Sequence, residues 1–203
     1  MSELTPEQIE KNWNMYCSFL DKLGDRSEVA KKLVETISEV LATAPASSRK
    51  HYHMCCVGGL CDHSLRVLRN ALKLKKTFNY DVPDESLIIG CLFHDLGKTC
   101  HVNDDGTLIP YYLPNESEWH KEKLGELYKI NDKIPFLASP DRTLWLCQKF
   151  GLVLSHSEYC SLRCADGQYT DENKPYKTKE PLLATIVHTA DYLSMLQEKE
   201  NEK

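Results

Sequence analysis

The sequence predicts an all-α protein, a single helical bundle, on three observations. Apolar residues recur at three- and four-residue spacing along most of the 203 residues, and the period-two alternation of strands is scarce. Helix-start signatures stand at the N-terminal end, in Thr5-Pro6-Glu7-Gln8 and Asp25-Arg26-Ser27-Glu28. The run from Leu87 to Phe93 is apolar on every side, the pattern of a helix in the middle of a core.

The first helix runs from Thr5-Pro6 to about Leu23, with Ile9, Trp13, Tyr16, Cys17 and Leu20 on one face and Gly24 as its stop. A second runs to about Ala42 with Val29, Leu33, Ile37, Val40 and Leu41 inward, and the small-residue stretch Ala44 to Ser48 breaks it. Leu60, Ser64, Val67, Leu68, Ala71 and Leu72 trace the stripe of a third, over Leu60–Lys76. Pro83-Asp84-Glu85 opens the all-apolar fourth. Asn103-Asp104-Asp105-Gly106 reads as a turn and Pro110–Asn115 as a loop. Further helices are predicted over Trp119–Lys129, Arg142–Leu154, Glu158–Cys164 and Pro181–Glu198, with a long polar loop over Asp166–Lys179. There is no internal repeat or low-complexity tract. The expected organisation is residues 1–48 as N-terminal helices packing on a core of residues 49–199.

Composition narrows the function classes. With 41% hydrophobic and 27% charged residues the chain can form a packed core, which argues against bulk disorder. A net charge of -5 argues against long duplex DNA as the main partner but leaves room for a small nucleotide, which needs only a few local cations. No apolar run approaches the roughly 18–20 residues of a bilayer span, and the polar start lacks a secretory h-region, so a soluble, cytoplasmic chain without a membrane partner is expected. The nine cysteines form no CxxC pair, and the odd count fits reduced, mostly buried thiols rather than zinc knuckles or a disulfide framework.

The chemistry concentrates in His94-Asp95, which ends the all-apolar helix and is followed by Leu96-Gly97-Lys98. An imidazole and a carboxylate buried side by side cost several kcal/mol unless something pairs with them. A divalent cation is the natural partner, and Lys98 places an ammonium where a phosphate oxygen would meet it. Two side chains do not fill a coordination shell. His63 lies on the preceding helix, one turn after Gly59, within Gly58-Gly59-Leu60-Cys61-Asp62-His63-Ser64, and Asp191 interrupts the apolar stripe of Leu183, Ile186, Val187, Ala190 and Leu193 on the last helix.

A lone His, a His-Asp pair and a distant Asp, in that order and all on helices, resemble the HD-domain superfamily of metal-dependent phosphohydrolases. The likeness covers roughly His51 to Met195, and the segments 58–64 and 92–98 are especially similar to a branch that includes a bacterial 3′-to-5′ exoribonuclease and to phage-borne HD proteins. The resemblance implies an HD-type helical bundle in which His63, His94, Asp95 and Asp191 bind a divalent ion (Mn, Fe, Co, Ni, Zn or Mg). It implies hydrolysis at phosphorus with Asp95 and Lys98 in the catalytic machinery, in the host cytoplasm for a phage-borne member. Binuclear relatives add two histidines between the His-Asp pair and the final Asp. His120 and His156 are the candidates here, while Ala165 stands where relatives place a ligand before Asp166. The alternatives are therefore one ion, or two with His120, His156 or Asp166 holding the second.

Around this set, Lys98, Arg66, His120 and Tyr111 are candidates for substrate binding. Arg66, Arg69, Lys73 and Lys76 make a basic stripe that a solvated helix face explains equally well. Tyr111, Tyr112, Tyr169 and Tyr176 sit in polar loops, where a ring stacks on a base or on the protein's own core. His51 and His53 precede the glycine pair and lie within reach of a phosphate or in solvent. His188 is read as a support for a ligand or as packing. The expected substrate is a small nucleotide or short oligonucleotide. The rivals are a 3′-to-5′ single-strand nuclease and a regulatory module that binds metal and nucleotide without turnover.

Overall fold

The structure, a computed structural model, describes residues 3–168 and 170–200. Among the described residues eight α-helices carry the fold: α1 (Pro6–Leu20), α2 (Ser27–Thr36), α3 (Ser38–Thr43), α4 (Gly59–Phe78), α5 (Asp84–Phe93), α6 (Ser139–Phe150), α7 (His156–Arg163) and α8 (Leu182–Glu200). Four three-residue strands, β1 (Cys100–Val102), β2 (Leu108–Pro110), β3 (Tyr112–Pro114) and β4 (Tyr128–Ile130), pair as two separate antiparallel hairpins, β1 with β2 and β3 with β4.

The long helices α4 and α8 lie against each other, and α5 packs into both, so its apolar circumference is used on all sides: residues 87 to 93 are all buried. Burying a leucine- or phenylalanine-sized side chain stabilises by about 1.5–3 kcal/mol, and α5 contributes several such side chains to the core. Asn70 on α4 donates to Ser194 Oγ (2.8 Å) and to Gln197 Oε1 (3.0 Å), which fixes the register of α8. On the other flank α1 and α3 pack on α4, and the fully buried Tyr16 donates its hydroxyl to the Leu92 carbonyl (2.8 Å) near the end of α5.

Local signals explain the starts and stops. Thr5 caps α1 through a complete capping box with Gln8, and Ser155 does the same for α7 with Glu158. The Asp25–Glu28 signature instead produces a 3-10 turn over Gly24–Arg26 that runs into α2, and the expected continuous helix to Ala42 breaks at Ile37. The largest departure lies between residues 110 and 130. The stretch expected as a loop contains β3, and the helix expected over 119–129 is one π-type turn, His120–Leu124, followed by β4. Gly125, in the left-handed region, ends that turn, and Tyr112 then pairs with Ile130 and Pro114 with Tyr128. Cross-strand pairing overrode a helix-compatible composition. The Asn103–Gly106 turn joins β1 to β2, and the loop 166–179 contains a 3-10 segment, Asp171–Tyr176. Among the described residues no helix is long and apolar enough to cross a membrane.

Candidate metal centre

Three helices deliver side chains to one interior point. His63 comes from the second turn of α4, His94 and Asp95 from the end of α5, and Asp191 from the middle of α8. One donor atom each from His63, His94 and Asp191 lies within 4.8 Å of the other two. His63 and His94 are 0% and 2% exposed. His63 Nε2 stands 3.0 Å from Asp191 Oδ1, and His94 Nε2 stands 3.5 Å from Asp95 Oδ2 and 3.9 Å from Asp191 Oδ1.

The second nitrogen of each ring sets its tautomer. His94 Nδ1 is 2.8 Å from the Cys91 carbonyl, an acceptor only, so Nδ1 carries the proton and Nε2 the lone pair. His63 Nδ1 faces the carboxylate of Glu198 at 3.1 and 3.3 Å, and its proton is likewise on that side. Both buried Nε2 atoms lack a hydrogen-bond partner; for His63 the 3.0 Å approach to Asp191 is a matter of charge and distance, without hydrogen-bond alignment. In their neutral forms both imidazoles turn an Nε2 lone pair toward two carboxylates, a donor set that fits a borderline divalent cation, and the residues present therefore suit the ion their chemistry calls for.

The electrostatics agree. Burial alone would lower the pKa of His63, but its contacts with Asp191 and Glu198 outweigh that and push it up to about 10. Burial would raise Asp191, and the close approach of His63 together with the charges of His63, His94 and Lys98 holds it far below the usual carboxylate range. Asp95 is lowered in the same way, Lys98 and His94 overcoming burial, and Lys98 is raised in return because Asp95 overcomes its own burial. Without an ion, the excess of carboxylate is met by a proton on His63 and by the Lys98 ammonium, which donates to Asp95 Oδ2 at 2.6 Å.

Lys98 and Asp95 are placed by a clamp from α6. The Gly97 N–H donates to Thr143 Oγ1 (2.8 Å), and the Gly97 carbonyl accepts from Arg142 Nη1 (3.0 Å). A Cβ on Gly97 would lie 1.9 Å from the Ser139 carbonyl oxygen, so only glycine lets α6 sit this close. Arg142 is 1% exposed, and its other amino group donates to the carbonyls of Pro135 and Leu137, each at 3.0 Å. Its guanidinium also lies over the Tyr111 ring, 5.0 Å from the centroid. The glycine pair before α4 works by the same means, since a Cβ on Gly59 would stand 2.2 Å from the Met54 carbonyl oxygen. The close approach there is by the chain that precedes α4.

The remaining candidates separate clearly. Asp166 is exposed at the rim, yet its carboxyl is raised by desolvation and by the charge of Asp95, and it also senses Lys98, His94 and Asp191. His120 and His156 join no group of ligand atoms among the described residues. His120 Nδ1 is 2.7 Å from Ser117 Oγ, and His156, exposed at the start of α7, meets Cys160 Sγ at 3.7 Å. Arg66 is engaged by Asp62 and lies 3.8 Å from Glu198, on the Nδ1 side of His63, whereas His94 and Asp191 face the other nitrogen. Tyr111 donates its backbone N–H to the Thr99 carbonyl (2.8 Å) and stands edge-on to Tyr112. Tyr112 feels the charges of Lys98 and Asp95. His188 lies against Gly167, and Tyr169 is outside the described residues. His51 is exposed, whereas His53 tucks its ring 4.6 Å from that of His63, with Nε2 buried and unpartnered.

Sequence reasoning missed Glu198, Arg142 and Thr143. Glu198 is 3% exposed and sits two helical turns after Asp191 on the same face of α8; that seven-residue spacing was the available signal. Nothing in the sequence distinguishes Arg142 from a surface arginine.

A helical bundle that gathers two imidazoles and two carboxylates beside a lysine has the donor set of a metal-binding helical domain. The HD domain family model matches residues 60–196, and the chain belongs to that family. HD domains bind divalent metals and form a superfamily of metal-dependent phosphohydrolases. Comparisons with curated proteins and with solved structures gave no match.

Proposed function

We propose that the protein hydrolyses a phosphate ester or anhydride of a nucleotide or short oligonucleotide, with His63, His94, Asp95 and Asp191 holding one divalent ion. The observation that carries this reading is the pair of buried, unpartnered Nε2 atoms facing Asp191 and Asp95, with the Lys98 ammonium 2.6 Å from Asp95. A divalent ion held there brings the pKa of water toward neutrality and neutralises charge on phosphoryl oxygens.

The chain's own residues supply orientation and charge. Glu198 and the Cys91 carbonyl lock the two imidazoles so that both Nε2 lone pairs face inward. Lys98 spends one N–H on Asp95 and keeps two for a phosphoryl oxygen, held at the right height by the Thr143–Gly97–Arg142 clamp. Asp166, a candidate ligand for a second ion, feels the charge of Asp95 in the first site.

The test is phosphate or nucleoside release from a panel of nucleoside mono-, di- and triphosphates and short oligonucleotides, in manganese, cobalt or nickel. Turnover that disappears in Asp95→Ala supports the reading. Shortening of a labelled single strand with every mononucleotide untouched would replace it with a nuclease. Nucleotide-induced thermal stabilisation without turnover in any metal would replace it with a regulatory module.

A further inference from the structure

Beside the cation site lies a cavity of about 400 Å³ that the hydrolytic chemistry does not use. It opens between α3 and the two hairpins, and Val40, Val57, Pro114, Tyr112 and Tyr128 form much of its wall. Lys98 belongs to both places: it lines the cavity and donates to Asp95 in the site. Tyr112 is the second link, since its hydroxyl feels the charges of Lys98 and Asp95. A larger groove of about 530 Å³ along α6 contains none of the site residues among its lining.

We propose that this cavity receives the nucleoside part of the substrate, the base against Tyr112 and Tyr128 and the phosphate toward Lys98. The inference rests on the phosphohydrolase reading and adds the subsite that would distinguish a nucleotide from other phosphates. Three features support it. The volume is within the range of small-molecule sites, roughly 300–1,000 Å³. The wall is mostly apolar with two tyrosine rings, a surface on which a planar base stacks but against which a polyol would leave its hydroxyls unpaired. Among the described residues of the lining Lys98 is the one cationic side chain and Glu39 the one carboxylate, which fixes where an anionic group goes. Desolvation raises the Tyr112 hydroxyl to about 12, so it stays a neutral hydrogen-bond donor over the working pH range.

The experiment uses adenosine 5′-monophosphate as the nucleotide probe and glycerol phosphate as the small polar ester. Val57 is 49% exposed and Thr43, on α3, is also exposed and lines the cavity, so Val57→Trp and Thr43→Trp each fill it from a wall that tolerates bulk. Calorimetry on the metal-free protein reads binding, and steady-state kinetics on the manganese-loaded protein read turnover. The expected result is adenosine monophosphate binding that weakens about tenfold or more in a tryptophan variant. The ratio of its kcat/KM to that of glycerol phosphate should fall by a similar factor, through KM. The proposal is overturned if the metal-free protein does not bind adenosine monophosphate. It is also overturned if both variants bind and turn it over like wild type, or if both substrates lose equally. Cavity-dependent binding with no phosphate release in any metal would sink the hydrolase reading and leave the subsite. Equal turnover of both esters, indifferent to both substitutions, would sink the subsite and leave the hydrolase.

Discussion

Arg142→Met is the sharpest test of how the bundle holds its chemistry. Arg142 is a buried cation with three carbonyl partners, Gly97, Pro135 and Leu137, each at 3.0 Å, and burial lowers its pKa. Methionine fills much of the volume and removes all three donors. Each hydrogen bond from a charged group contributes about 1.5–3 kcal/mol, so three give a gross loss of about 4.5–9 kcal/mol. Relief of the buried charge returns part of that, and an apolar replacement of a buried ion recovers about 1–4 kcal/mol in comparable cases. Taking the middle of each range, a net loss of about 4 kcal/mol follows, which for a chain of this size lowers Tm by about 8–16 °C. Thermal unfolding by circular dichroism measures it, alongside hydrolysis at a temperature where both proteins are folded. Activity should fall about tenfold or more because the Gly97 carbonyl, and with it the turn that carries Lys98, is released. Arg142→Lys should land between the two, since one ammonium cannot span carbonyls on both sides. A Tm within 2 °C of wild type, with undiminished activity, would refute the clamp.

Other perturbations probe the remaining links. Glu198→Ala leaves the His63 Nδ1 proton without its carboxylate, and manganese affinity should fall about 10- to 100-fold by calorimetry, with Glu198→Gln retaining more. Because His63 is pushed up to about 10 in the metal-free protein, its imidazolium contributes stability that is complete below the unfolded value near 6.5 and is lost as pH rises through 10; denaturant titrations across that window should show the decline. The same proton competes with the ion, so manganese affinity should rise about tenfold per pH unit below 10, and a flat profile would contradict the site. Gly97→Ala brings a Cβ to 1.9 Å from the Ser139 carbonyl oxygen, and more than about 4 kcal/mol of destabilisation, or failure to fold, is expected.

What the sequence by itself determined is local. The capping box at Thr5, the stripe of α4, the apolar circumference of α5 and the polarity break at Asp191 are all written within a few residues, because helix geometry couples only positions three, four and seven apart. The polar breaks at His94-Asp95 and Asp191 were legible as costly insertions asking for a partner, and their grouping with His63 came from the resemblance to the HD-domain superfamily. Only the tertiary structure decided which partners they met. Glu198 reaches His63 across 135 positions and Arg142 reaches Gly97 across 45, and no periodicity links such residues. The same reason explains the segment from residue 110 to 130, where composition allowed a helix and pairing between Tyr112 and Ile130 made a hairpin. Long-range contacts are chosen by the packing of whole elements, and a strand, a buried arginine or a supporting carboxylate acquires its meaning only there.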